Sequence, residues 1–343
     1  MVTIKDIATK TNLSITTVSL VLNNKASNIP QRTKDLVLKA AKDLNYRPNQ
    51  AAVALVTKRT KTLGLIVPDI RNNFFSTLAK GIEDECRNND WTVILCNSND
   101  MHDRDLEYIK ILASKGVDGI LYCMSSDTNE EKFKEKYDLL EKLKIKFIAL
   151  DRSFNLPNII TANLNHLKGG YLATKHLLDL GHNRIACVTG PKYLKDSADR
   201  LRGYKMALTE YEIPYDTSII VEGDYQMEGG LSAVDKLIEK DFTAVFAFND
   251  MMAYGVFKGL KSHGLHVPKD ISVVGYDDIY LSEILEVPLT TVHQPIELMG
   301  KTATKYLINI IESEEEYCEI PTFSPSLVIR NSTTSLNPAN AEA

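Results

Sequence analysis

Several features that would place a chain outside the ordinary globular proteins are missing here. No apolar run approaches the length needed to cross a bilayer. The opening Met1-Val2-Thr3-Ile4-Lys5-Asp6 has neither the basic start nor the apolar core of a secretory signal. The five cysteines, Cys86, Cys96, Cys123, Cys187 and Cys318, are scattered and never in Cys-x-x-Cys spacing. That argues against a disulfide framework or a zinc site and for a reducing compartment. There is no Gly-rich nucleotide loop, no Gly-x-Ser-x-Gly elbow and no His-Glu-x-x-His, and the seven histidines do not cluster. The expectation is a cytoplasmic protein with no catalytic residues, no metal, no cofactor and no membrane partner.

What is present is a composition of 44% apolar and 25% charged residues over 343 positions, long enough for two or three folding units. The net charge of −5 hides an asymmetry. Residues 1–61 hold eleven lysines and arginines against three acids, a net of +8, leaving −13 on the rest. A small basic head on an acidic body suits a head that meets phosphate. A merely solvated basic face would give the same numbers.

The first 46 residues read as three short helices. Thr3 and Asp6 have capping-box spacing for the first, which runs through about Lys10. Ser14 is the natural N-cap of a second, Ile15 to Asn23, and Pro30 takes the first turn of a third. From Leu63 onward β-branched runs alternate with amphipathic stretches. The strands expected are Leu63–Val67, Thr92–Cys96, Val117–Tyr122, Phe147–Leu150, Ile185–Val188, Ala244–Phe248 and Ile271–Val274. This alternation means α/β architecture, with parallel sheets covered by helices on both faces. About 280 residues of it favour two lobes over one sheet. Ligands of such sheets bind beyond the carboxyl ends of the strands.

Ile4-Lys5-Asp6-Ile7-Ala8 followed by Ser14-Ile15-Thr16-Thr17-Val18-Ser19 has the spacing of a helix-turn-helix. A plain helical bundle is the duller alternative. Pro48-Asn49 then precedes Gln50-Ala51-Ala52-Val53-Ala54-Leu55-Val56, too short to be helical alone in water. These stretches, with Val21-Leu22-Asn23, Leu44-Asn45-Tyr46 and Leu63-Gly64-Leu65-Ile66, closely resemble the lactose/galactose repressor (LacI/GalR) family, and the resemblance extends over the whole chain.

The resemblance implies an all-α helix-turn-helix head (1–46), a hinge helix and linker (47–61), and a two-lobed, type I periplasmic-binding-protein-like sensor (62–330). The N-lobe is expected at about 62–160 and 293–320, and the C-lobe at about 161–290 and 321–330. Crossings are expected near Ile159–Leu164, Thr290–His293 and Ile320–Phe323, and a C-terminal tail over 331–343. Thr3, Ser14, Thr17, Ser19 and Asn23 match phosphate-contacting positions, and Ile15, Thr16 and Leu20 match base-reading ones. Asn49, Ala52 and Leu55 match the hinge, with Leu55 entering the minor groove. A homodimer on double-stranded operator DNA is implied.

In the sensor the candidate ligand residues are Asn72, Phe74 and Phe75 after the first strand and Asp151 and Arg152 after the fourth. Arg200, expected to open a helix, joins Tyr225, Asn249, Asp277 and Gln294. Paired donors and acceptors with aromatic rings suit a neutral sugar. The set is similar to that of ribose-binding proteins and ribose operon repressors, except for Tyr225, where Phe is usual. D-ribose is therefore the expected effector, releasing the operator. Each residue has a duller explanation: the phenylalanines as core, Asp151–Arg152 as a surface ion pair, Asn249 and Asp277 as helix caps, Gln294 as loop polarity. Their joint placement after strand ends favours a site. Rivals keep the architecture: one reverses the sign, with a small molecule or partner protein as corepressor, as purines are in one branch of the family, and another senses a different sugar.

Two departures stand out. Many relatives have arginine where this chain has Leu20, and often arginine where it has Val53. Leucine can touch a thymine methyl but cannot pair with guanine. Operator selection is expected to return no requirement for guanine at the base facing Leu20; a retained guanine would contradict this.

Overall fold

A computed structural model describes residues 2–23, 26–46, 54, 59–152, 154, 159–313 and 319–336. The chain divides into two compact units, residues 1–60 and 61–343.

The first unit contains helices α1 (Ile4–Thr11), α2 (Ile15–Leu22) and α3 (Gln31–Asp43). Asp6 accepts hydrogen bonds from the Thr3 backbone N–H at 2.7 Å and the Thr3 hydroxyl at 2.8 Å, which starts α1. Asn12 adopts a left-handed conformation (φ 54°) and ends it. Ser14 then caps α2 by accepting the Thr17 N–H at 3.0 Å. Ile7, Ala8, Val18, Val21, Val37, Ala40 and Ala41 form its core. The turn after Asn12 and the small Ala8 let two short helices cross closely over that core.

The second unit has two parallel sheets. In the first lobe β1 (Thr62–Val67), β2 (Thr92–Asn97), β3 (Gly119–Tyr122), β4 (Lys146–Leu150) and β5 (Thr161–Ala162) lie in the order β2-β1-β3-β4-β5. They are covered by α4 (Asn73–Asn88), α5 (His102–Lys115) and α6 (Glu130–Leu143). In the second lobe β6 (Ile185–Thr189), β7 (Ile220–Glu222), β8 (Ala244–Ala247), β9 (Ser272–Asp277), β10 (Thr290–His293) and β11 (Ser326–Val328) form the order β11-β10-β9-β8-β6-β7. Here the helices are α7 (His166–Asp179), α8 (Lys195–Glu210), α9 (Met227–Leu237), α10 (Asp250–Ser262) and the short α11 (Leu281–Ile284). The last helix, α12 (Ile296–Ser313), returns to the first lobe, where Ile296, Met299, Ala303 and Leu307 join its core. β6, β8 and β9 are buried along their whole length, as strands with helices on both faces must be. Among the described residues only β11 runs antiparallel, at the edge.

Several expectations need correction. Arg200 does not open a helix; α8 begins at Lys195 and Arg200 is well inside it. Thr161–Ala162 pair with β4, Thr290–His293 are β10, and Phe323 bridges Leu164. The lobe limits expected at 161, 293 and 321 therefore move by a few residues, because chain beside a sheet edge gains ladder hydrogen bonds before it crosses. Residues 331–336 are no free tail. Ser332 exchanges hydrogen bonds with Val273, and the Leu336 N–H donates to Leu180 O at 2.9 Å.

The packing of α7 on α8 needs two glycines. A Cβ on Gly170 would stand 2.1 Å from the Arg200 carbonyl oxygen, and one on Gly203 equally close to the Leu167 carbonyl oxygen. Gly170→Ala is expected to destabilise the sensor by about 1–3 kcal/mol through overpacking. Urea unfolding checks this, and parental stability would contradict it.

Candidate functional site

The carboxyl ends of the parallel strands in both lobes open onto one narrow cleft. Nine of the ten expected ligand residues line it: Asn72, Phe74, Phe75, Asp151, Arg152, Arg200, Tyr225, Asn249 and Asp277. The tenth, Gln294, stands behind them and donates Nε2 to Asp277 Oδ1 at 2.7 Å.

Each is held by its local structure. Asn72 caps α4 by accepting the Phe74 N–H at 3.0 Å, which turns Phe74 and Phe75 inward. The two rings meet edge to face, 5.1 Å apart, and belong both to the cleft wall and to the first-lobe core. Asn249 caps α10 by accepting the Met252 N–H at 2.9 Å, while its amide donates to the Tyr225 carbonyl, also at 2.9 Å. These residues cap helices or pack in the core, as the duller explanations have it, and they also line the cleft.

Sequence reasoning missed two groups. Asp196 lies one turn before Arg200 on α8, and this i, i+4 spacing was the readable signal. It accepts the Tyr225 hydroxyl at 2.5 Å, which gives the tyrosine that replaces the usual phenylalanine a partner. His166 opens α7 and joins the lobes. Its Nε2 is 2.9 Å from Asp151 Oδ1, and its Nδ1 accepts from Arg200 at 3.3–3.4 Å.

The electrostatics follow from burial. Arg152 and Arg200 are 8% and 3% exposed. Burial opposes both charges, but Asp196 near Arg152, and Tyr225, Tyr276 and Asp196 near Arg200, keep both guanidiniums above their ordinary pKa. The Arg152 guanidinium lies over Phe75 (5.7 Å) and Tyr225 (6.0 Å), and that of Arg200 over Tyr276 (3.8 Å). Burial would raise Asp196, yet the two arginines outweigh it and hold the carboxyl below its usual value. Asp277 goes the other way: burial pushes it well up, and Arg200 and Gln294 only partly counter this.

Two observations point to a ligand. Asp151 (φ 59°), Tyr225 (φ 64°) and Asp277 (φ 116°) adopt left-handed backbone conformations that cost energy in non-glycine residues. Among the described residues, the buried Arg152 Nε, Asp196 Oδ1 and Gln294 Oε1 have no hydrogen-bond partner in the protein.

On the first unit, Ile15 and Leu20 are 48% and 38% exposed on α2. Thr3, Ser14, Thr16 and Asn23 are exposed, and Thr17 and Ser19 half-buried. The Ser14 and Thr17 hydroxyls are 2.8 Å apart, and Asn23 donates to the Ser19 carbonyl at 2.9 Å. Asn49, Ala52 and Leu55 lie outside the described residues. Among the described residues no helix is long and apolar enough to cross a membrane, and no cluster of three or more His, Cys, Asp or Glu is placed to hold a metal.

The fold and the cleft define a DNA-binding regulator with a periplasmic-binding-like sensor. Residues 3–49 match the model of bacterial regulatory proteins of the lacI family, and residues 60–325 that of periplasmic binding proteins and the sugar-binding domain of the LacI family. The chain belongs to the LacI family and is a transcriptional repressor, not an enzyme. It is 39% identical over 98% of its length to the whole of the HTH-type transcriptional repressor PurR of Vibrio parahaemolyticus serotype O3:K6. It is 36% identical to a ribose-bound LacI family regulator from Enterococcus faecium, covering 80% of this chain and all of that one, with a TM-score of 0.73. The lac repressor dimer bound to operator and the anti-inducer ONPF is 27% identical over 97% of this chain and 99% of that one, with a TM-score of 0.84.

Tyr225→Phe is expected to cost the sensor about 1.5–3 kcal/mol, because a buried carboxylate loses a hydrogen bond. The stability that Asp196 contributes, as a group with a lowered folded pKa, is present above the ordinary carboxylate value. It is lost as pH falls through the lowered one. Denaturation of both proteins at neutral and acid pH checks this: the difference between them should shrink toward low pH.

Proposed function

We propose that the chain is a cytoplasmic homodimeric repressor that releases its operator when D-ribose binds the cleft, and that it controls genes of ribose uptake and catabolism. The cleft carries this reading. Guanidinium, carboxyl and amide groups from both lobes, three of them with unpaired atoms, suit vicinal hydroxyls, and the aromatic rings suit sugar C–H faces. Arg152 and Arg200 face the carboxyls of Asp151, Asp196 and Asp277 across the cleft, with no excess of positive charge. That balance fits a neutral ligand better than a phosphorylated one. The likeness to a ribose-bound regulator supports it.

In this reading Thr3, Ser14, Thr17, Ser19 and Asn23 set the register on phosphates, and Ile15, Thr16 and Leu20 read bases. The exposed apolar side chains of Ile15 and Leu20 favour that assignment. Asn49, Ala52 and Leu55 belong to a hinge helix too short to persist unpaired, so pairing across the dimer and the minor groove would sustain it. Ribose would close the lobes and end that pairing, provided it binds the closed state more tightly.

Corepression is the second reading, with a purine-type ligand or a partner protein tightening operator binding. The whole-chain likeness to PurR favours it, and by identity and coverage it outweighs the ribose-bound relative. A titration of operator DNA with D-ribose and with the purine base hypoxanthine separates the two. The first reading expects ribose to weaken operator affinity about tenfold or more and Arg200→Ala to abolish the response. Tightening by hypoxanthine, with no effect of ribose, selects the second.

A further inference from the structure

In the first lobe, outside the cleft lining, a lysine and an aspartate are sealed together. Lys136 on α6 and Asp105 on α5 are both fully buried, with Nζ 2.9 Å from Asp105 Oδ2. The same oxygen accepts the Tyr122 hydroxyl at 2.7 Å, the Ser125 hydroxyl at 2.8 Å and the Ser125 N–H at 3.2 Å. Lys136 also donates to Thr128 Oγ1 at 2.6 Å. Burial pushes the lysine pKa down, and Asp105 works against that push. Such a pair adds little net stability, because apolar residues of similar volume often serve as well or better.

Its position suggests another use. Every other partner of the pair comes from residues 122–128, the end of β3 and the loop after it. That loop reaches the cleft from behind. The Met124 carbonyl accepts from Arg152 Nη1 at 3.4 Å. Ser126 donates its N–H to Asp100 at 2.6 Å, and Asp100 lies 3.7 Å from the same arginine nitrogen. Ser98 ties the loop to β1, with its hydroxyl 3.1 Å from that of Ser125 and 3.3 Å from the Val67 carbonyl oxygen.

We propose that Asp105 and Lys136 are positioning residues for Arg152. They touch no ligand; they pin residues 124–126, and that loop sets the guanidinium in the orientation the effector meets. Less ordering is then left to be done on binding. The inference rests on the cleft being the effector site.

Lys136→Met alone would leave a buried, uncompensated carboxylate and could unfold the lobe. The informative protein is the full chain carrying Asp105→Leu and Lys136→Met together, titrated by calorimetry with D-ribose and with hypoxanthine. It is expected to fold but to melt below the parent, because the Tyr122 and Ser125 donors lose their acceptor, and to bind the parent's ligand about tenfold more weakly. In an Arg152→Lys background the same double change should matter less than about twofold, because the planar fork that the loop orients is gone. Ser125→Ala, which removes the hydroxyl's ties to Asp105 and Ser98 but neither charge, reads the same coupling if the double variant does not fold. An unchanged dissociation constant, or an equal loss in both backgrounds, overturns the inference and leaves the cleft reading intact. A parent that binds neither probe overturns the cleft reading, and this inference with it.

Discussion

Two guanidinium groups, one from each lobe, are buried in the same cleft, and much of the sensor is arranged around holding them there. A buried charge without partners costs several kcal/mol. Here Asp196 faces both arginines, His166 links Arg200 to Asp151, and the rings of Phe75, Tyr225 and Tyr276 cover the guanidinium planes. Space for this comes from glycine: a Cβ on Gly190 would stand 2.2 Å from the Tyr225 ring, and Gly170 lets α8, with Asp196 and Arg200, lie close on α7. Strain at Asp151, Tyr225 and Asp277 is the conformational cost of aiming the side chains inward.

These groups meet because parallel strands deliver their carboxyl ends to one edge, and each lobe presents that edge to the other. The first lobe contributes an arginine steadied by a loop, and the second an arginine steadied by a helix and a tyrosine–aspartate pair. A ligand bridging the two would satisfy the unpaired atoms on both sides, which gives it differential affinity for the closed arrangement. Without that difference no ligand could change the state of the head.

Much of this was legible in the sequence. The apolar runs gave β1–β4, β6, β8 and β9 to within a few residues, because strands buried in a sheet leave near-continuous apolar stretches, whereas β10 was read as a crossing. Positions after strand ends, together with the similarity to ribose-binding proteins, named nine residues that line the cleft and Gln294 behind them. The edges were harder to read. β5, β7 and β11 are two or three residues long, and their pairing is decided by neighbouring chain rather than by their own pattern. Asp196 and His166 were missed because they sit in the first turns of helices, where a polar residue reads as ordinary solvent-facing surface. The Asp105–Lys136 pair was hidden for the same reason: in a sequence, a charged residue on a helix gives no sign that it is buried. Tyr225 registered only as a departure from a similar family, and its meaning emerged once Asp196 stood beside it.

If a polar effector contacting both lobes completes the cleft, a crystal structure of the chain grown with D-ribose will show it. Ligand hydroxyls, or waters bound to them, are expected within hydrogen-bond distance of Arg152 Nε, Asp196 Oδ1 and Gln294 Oε1, with the sugar ring against Phe74 or Phe75. Ribose bound elsewhere, or those three atoms still unpaired beside a bound sugar, would contradict it.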